Sequence, residues 1–153
     1  MISSVTFEQS TWAGLPAKFE AGTPHIAGAV GLGAAIDWIS QVGLERVAAH
    51  EAALLEHASG EVSQLTGVRL VGTASNRASI LSFVVDGVHA HDVGQVLDAE
   101  GVAIRAGHHC AQPVMARYGV AATARASFAV YNTLEEIGAL VHGIRRVKQV
   151  FGT

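Results

Sequence analysis

The sequence predicts an α+β fold, a short and mainly antiparallel sheet covered by helices, and three observations carry that reading. The segments "VRLVG", "ASILSFVVDG" and "ARASFAV" are rich in branched or small apolar residues and have the texture of strands. They stand between segments whose apolar residues recur at helical spacing. Glycines at 43, 67 and 101 fall where one texture gives way to the next. A chain of 153 residues, half of them apolar, can bury about two-thirds of its unfolded surface and needs no staples.

Residues 1–24 hold no sustained period. "WAGLPAKFEAGTP" mixes proline, glycine and aromatics, so this stretch reads as an ordered connecting segment with one short strand at most. The folded domain is expected over residues 25–153. Thr23 before Pro24 reads as a helix start, because a threonine hydroxyl can accept from an early backbone N–H and proline at the first helical position forfeits no needed donor. From Ile26 the helix is apolar nearly all round, through Val30, Leu32, Ile36 and Trp38. That predicts a buried, closely packed element. Gly43 breaks it. Leu44, Val47, Leu54, Leu55, Ala58, Val62 and Leu65 then give a long amphipathic helix ending at Gly67.

"VRLVG" and "ASILSFVVDG" follow as two strands joined by the turn "TASNR". "HAHDVGQVLDAEG" returns to helical spacing through Val93, Val96 and Leu97 and ends at Gly101. "VAIR" reads as a strand leading into "RAGHHCAQP", and "PVMARYG" as a short helix from Pro113. "ARASFAV" is a third clear strand. In the final helix Asn132 or Thr133 caps, Glu135 or Glu136 sits three residues on, and Ile137, Leu140, Val141, Ile144 and Val147 form the stripe.

Composition narrows the function. A formal charge of −3 with no basic block argues against nucleic acid as a partner. The low-charge run 21–36 is interrupted by glycines, Pro24 and His25, which makes it a poor membrane span. A single cysteine allows no internal disulfide, and "MISSVTFEQS" lacks the basic start and apolar core of a signal peptide, so a cytoplasmic location is expected.

That cysteine, Cys110, has three readings. As a nucleophile it would act as thiolate, the form that cationic neighbours such as Arg105, His108 and His109 favour. As a zinc ligand it would join histidines at 89, 91, 108 and 109, but the H-x-H and H-H-C spacings do not match the paired-cysteine patterns of zinc sites. As a small buried hydrophobe it would do nothing chemical. Arg125, inside the last strand, carries a planar fork suited to a carboxylate, although an exposed edge or an internal ion pair would also account for it. The lysines are Lys18 and Lys148 only.

"FEAGTPHIAGAVGLGAAIDWI", "VHAHDVGQVLDAEGVAIRAGHHCAQPVM" and "TARASFAVYNTLEEIGALVHGI" resemble the C-terminal part of pyridoxal-phosphate-dependent cysteine desulfurases of the Suf type, a selenocysteine lyase-like group of class-V aminotransferases. The resemblance covers essentially the whole chain. It implies the small C-terminal domain of a fold-type I pyridoxal-phosphate enzyme, with residues 1–24 connecting it to a larger preceding domain. It also implies a homodimer, L-cysteine as substrate, and a sulfur-acceptor protein of the iron-sulfur assembly system as partner.

Carried over by position, the resemblance makes Cys110 the catalytic cysteine that becomes a persulfide while alanine is released. Arg125 becomes the holder of the substrate carboxylate, and Thr23 the residue that reaches the cofactor phosphate across the dimer. Arg105 and His109 take supporting roles, biasing the thiol toward thiolate or shaping the loop. His91 matches a histidine that meets a zinc-containing acceptor; a polar residue of N-cap type opening its helix is the plainer reading. The lysine that holds the cofactor, the histidine that stacks on it and the aspartate at its ring nitrogen belong to the family's larger domain and have no counterpart motif here. This chain alone is therefore expected to bind no pyridoxal phosphate covalently and to be inactive. A stand-alone persulfide carrier or acceptor-binding module is the alternative.

Overall fold

The computed structural model describes all of residues 1–153. The chain divides into two compact units, Met1–Leu44 and Glu45–Thr153. The first opens on an antiparallel hairpin, β1 (Ile2–Val5) with β2 (Ser10–Trp12), registered by Ile2 opposite Trp12 and Val5 opposite Ser10. Its turn is closed by Thr6, whose hydroxyl accepts from the backbone N–H groups of Glu8 and Gln9 at 3.2 and 3.0 Å. Two strands thus stand where the sequence suggested one at most. Every residue of both is exposed, so neither shows the alternation by which strands are recognised.

After a single 3-10 turn over Ala17–Phe19, α1 runs from Ile26 to Val42. His25, not Thr23, occupies its N-cap position, and no side chain caps it. Pro24 is not the first helical residue: the Ile26 N–H donates to the Pro24 carbonyl at 2.8 Å, a tight turn that sets the helix start two residues after the proline and leaves Thr23 outside it. Nor is α1 buried. None of its residues is, and Ile26, Val30, Leu32, Ile36 and Trp38 are each more than half exposed. An apolar surface all round a helix needs cover on every side, and this chain supplies none that buries it. No single helix is long and apolar enough to cross a membrane.

The second unit is built on a four-stranded antiparallel sheet in the order β3-β4-β6-β5, from β3 (Val68–Val71), β4 (Ile80–Val85), β5 (Arg105–Gly107) and β6 (Thr123–Ser127). Side chains alternate across it. Leu81, Phe83 and Val85 of β4 and Ala124 and Ala126 of β6 point to one side and are buried. There they form one core with α2 (Leu44–Ser63), α3 (Ala90–Ala99) and α5 (Leu134–Phe151). The stripe Ile137, Leu140, Val141, Ile144 and Val147 of α5 is buried throughout.

Two boundaries differ from expectation. The second helix stops at Ser63, four residues before Gly67, because the next amides tighten onto carbonyls three residues back: Gln64 to Glu61 at 3.3 Å and Leu65 to Val62 at 3.1 Å. The strand expected at "VAIR" begins only at Arg105. Val102 donates to the Leu97 carbonyl at 2.8 Å and Gly101 to Asp98 at 2.9 Å, the paired bonds of a Schellman ending on α3, which commits Val102 to the cap.

Candidate functional site

The face of the sheet opposite the helices carries the polar residues. Strand register places Arg105 of β5 directly opposite Arg125 of β6, with Ser82 of β4 on Arg125's other side. Like charges facing each other across strands repel. Neither guanidinium has a carboxylate within ion-pair reach; Glu100 instead stands 3.6 Å from Arg146 Nε and 3.8 Å from the His142 ring. The Arg125 Nε is buried and unpartnered. Two unneutralised guanidiniums on adjacent strands, one holding a buried donor, form an arrangement that an anion would satisfy.

From β5 the chain turns through His108–Ala111 into α4 (Gln112–Tyr118), with the Ala111 N–H donating to the His108 carbonyl at 2.9 Å. Both central residues, His109 (φ 56°) and Cys110 (φ 57°), are left-handed. Positive φ at both centres of a four-residue turn is the mark of type I′, ordinarily served by Asn and Gly. Here the positions carry a histidine and a cysteine, and such conformations cluster at functional sites. Cys110 is exposed and borders a depression of about 460 Å³ lined by Arg105, Ala106, His108, His109, Gln112 and Pro113. The buried-filler reading of Cys110 therefore falls.

His109 faces back to the sheet. Its Nε2 lies 2.9 Å from Thr123 Oγ1 and 3.1 Å from the Thr123 carbonyl oxygen, while its Nδ1 is buried without a partner. Burial, and then the positive charges of Arg125, Arg105 and His108, hold its pKa below the ordinary 6.5, against the Thr123 carbonyl bond that raises it. No three His, Cys, Asp or Glu side chains converge as a metal-ligand set.

His91 lies in the first turn of α3, exposed. The residue that caps the helix is His89, whose Nδ1 accepts from the His91 backbone N–H at 3.2 Å, so the capping reading of His91 is corrected. His91, Gln95 and Asp98 border a second depression of about 330 Å³, and Ala106 lines both hollows. Thr23 is exposed in the first unit. Strand pairing thus gathers Cys110, His109, Arg105 and Arg125, and sets His91 at a neighbouring hollow.

Thr123 escaped the sequence reading. Its place two residues before Arg125 puts it on the same face by simple alternation, which was the available signal. The lysines stand elsewhere: Lys148, on α5, donates to the Thr66 carbonyl, and Lys18 lies 5.8 Å from the Phe19 ring centre in the first unit.

Curated relatives match along almost the whole chain. A probable cysteine desulfurase of Mycobacterium leprae is 54% identical over 149 residues, covering 97% of this chain and 24% of its own length. One from Streptomyces coelicolor is 51% identical, covering 99% of this chain and 37% of its own. Among solved structures, a cysteine desulfurase of Escherichia coli in an S-sulfonic acid form superposes with a TM-score of 0.85 at 37% identity, over 98% of this chain and 37% of that one. An apo cysteine desulfurase of Thermococcus onnurineus gives 0.84 at 38% identity, over 97% and 37%. The chain therefore spans between a quarter and two-fifths of the length of these proteins. Residues 1–140 match the aminotransferase class-V family, and with this sheet, these helices and these relatives the chain belongs to that family.

Proposed function

We propose that this chain is the cysteine-bearing C-terminal part of a cysteine desulfurase. The reading rests above all on Arg105 and Arg125 standing opposite each other, unneutralised, on the strand that leads into the Cys110 turn and on its neighbour. Arg125 would hold the α-carboxylate of L-cysteine, with Arg105 adding to the local positive charge. Cys110 would receive the substrate's sulfur atom as a persulfide, an S–S bond replacing the substrate's C–S bond while alanine leaves. Thr23, exposed in the first unit, would reach the cofactor phosphate in a homodimer. His91, beside the adjoining hollow, would meet the sulfur acceptor of a cytoplasmic iron-sulfur assembly system.

Pyridoxal phosphate is the cofactor the family implies, and the residues present do not form a covalent site for it. The lysine of the second unit is engaged with Thr66, and nothing else near Cys110 supplies an amine. The cofactor-holding lysine belongs, in this reading, to a larger domain preceding residues 1–24, and the chain alone does not turn over. The exposure of Cys110 on a unit with its own core favours one second reading, a stand-alone persulfide carrier or acceptor-binding module.

Intact mass after treatment with a persulfide donor should show one added sulfur, absent in Cys110→Ser; no gain in the unaltered chain overturns the desulfurase reading and the carrier reading alike, and leaves only an acceptor-binding module. The chain mixed with pyridoxal phosphate and L-cysteine should release no alanine, and turnover like that of a full-length relative overturns the proposed division. Adding the lysine-bearing domain of a relative should restore alanine release. Absence of restoration with persulfidation intact leaves the carrier reading.

A further inference from the structure

Thr123 is the one buried polar residue of the chain, 1% exposed, and it opens the strand that carries Arg125. Both of its oxygens lie within hydrogen-bond distance of a single ring nitrogen, His109 Nε2. A carbonyl oxygen can only accept, so Nε2 carries the hydrogen; in the neutral ring, which the lowered pKa of His109 favours, Nδ1 is then the lone-pair nitrogen. The tautomer thus follows from the contact with the Thr123 carbonyl, and the hydroxyl adds a second acceptor at 2.9 Å.

His109 is also the first of the two left-handed residues in the cysteine turn. Such conformations are costly in residues other than glycine and persist only where the surroundings over-determine them. Within the turn one backbone bond, Ala111 to His108, resists relaxation. The ring of His109 supplies the side-chain tie from the turn to the sheet.

We propose that Thr123 is a positioning residue: its two oxygens clip the His109 ring to the start of β6 and hold the left-handed turn in the form that presents Cys110 at the hollow it shares with Arg105. The purpose of that placement rests on Cys110 being the sulfur acceptor, but the clip itself is a property of this chain without cofactor or substrate.

The test is therefore run on the 153-residue chain alone, by the rate of Cys110 alkylation with neutral iodoacetamide and by the ring nitrogen resonances of His109. Thr123→Val, which keeps the shape and loses the hydroxyl, should slow alkylation at pH 7 about fivefold, the scale of one hydrogen bond. Thr123→Ser should stay within about twofold of the parent, since the hydroxyl is retained. In a His109→Ala background, Thr123→Val should change nothing further, because the two act through one contact. The unaltered chain should show the fixed Nε2–H form of His109, a reading that needs no variant to fold.

An equal effect of Thr123→Val with and without His109, or a His109 ring in the Nδ1–H form, overturns the proposal. So does a lowered melting temperature with alkylation unchanged. Because neither measurement involves sulfur transfer, failure of Cys110 to take up sulfur leaves this result standing, and the reverse holds equally.

Discussion

Cys110 is set apart by its backbone before its chemistry. It follows another left-handed residue in a turn that lacks the Asn-Gly pair suited to it, and the histidine beside it anchors the turn while remaining hard to protonate. That second property shows in stability. As pH falls, an unfolded His109 takes a proton near 6.5, whereas the folded one, desolvated and faced by Arg125, Arg105 and His108, resists until lower pH. The unfolded state then binds more protons, so stability is full above about 6.5 and declines as pH drops from there toward the folded value. Glu135, held low by its own backbone N–H and the Thr133 hydroxyl, and Glu136, held low by Asn132 and the Thr133 N–H, lose their contributions only below the ordinary 4.5. Urea midpoints measured from pH 7.5 to 5 should therefore fall in the parent and stay nearly level in His109→Gln, and parallel curves would contradict this account.

At the scale of elements, the carboxylate of Glu136 accepts from the Thr133 N–H and from Asn132 Nδ2, both at 2.9 Å, and fixes the start of α5. Along the same helix Gly143 is buried against α3, where an added Cβ would run into Leu97 Cδ2. Gly143→Ala, despite its better helix propensity, should cost about 1–3 kcal/mol by overpacking, read from denaturant unfolding. A cost below the propensity gain would mean that Leu97 moves aside.

Much of this layer was legible in the sequence. The α5 stripe, the β4 alternation through Leu81, Phe83 and Val85, and the glycine stop after α3 all follow from local period and turn chemistry. The hairpin Ile2–Trp12 was not, because strands exposed on both faces carry no alternation. Local sequence also held no cue to the Arg105–Arg125 pairing, which depends on a register between residues twenty apart, or to the left-handed turn, which forms on residues that do not ordinarily favour it.

For the whole molecule, burial is confined to one unit. Every buried residue lies within Glu45–Thr153, and Met1–Leu44 has none. Unfolding of the chain should thus report the second unit. The pair Val30→Gln and Ile36→Gln, on exposed positions of α1, should shift stability by no more than about 0.5 kcal/mol each. Phe83→Ala, by contrast, empties the centre of the core and should cost about 3–5 kcal/mol. Calorimetry on the two variants separates the cases, and a large loss from the α1 pair would show that those side chains are covered in solution.

The strand order has one more consequence. Strand β6 is laced to neighbours along both its borders, whereas β5 is laced along one. A fluctuation that frays the sheet from its rim reaches Arg105 on β5 first, while Arg125 on β6 stays fixed and the clip from Thr123 to His109 ties the cysteine turn to that same inner strand. The two arginines are thereby mounted unequally, like a vice with one fixed jaw: Arg125 is stationary, and Arg105 is on the part with room to travel.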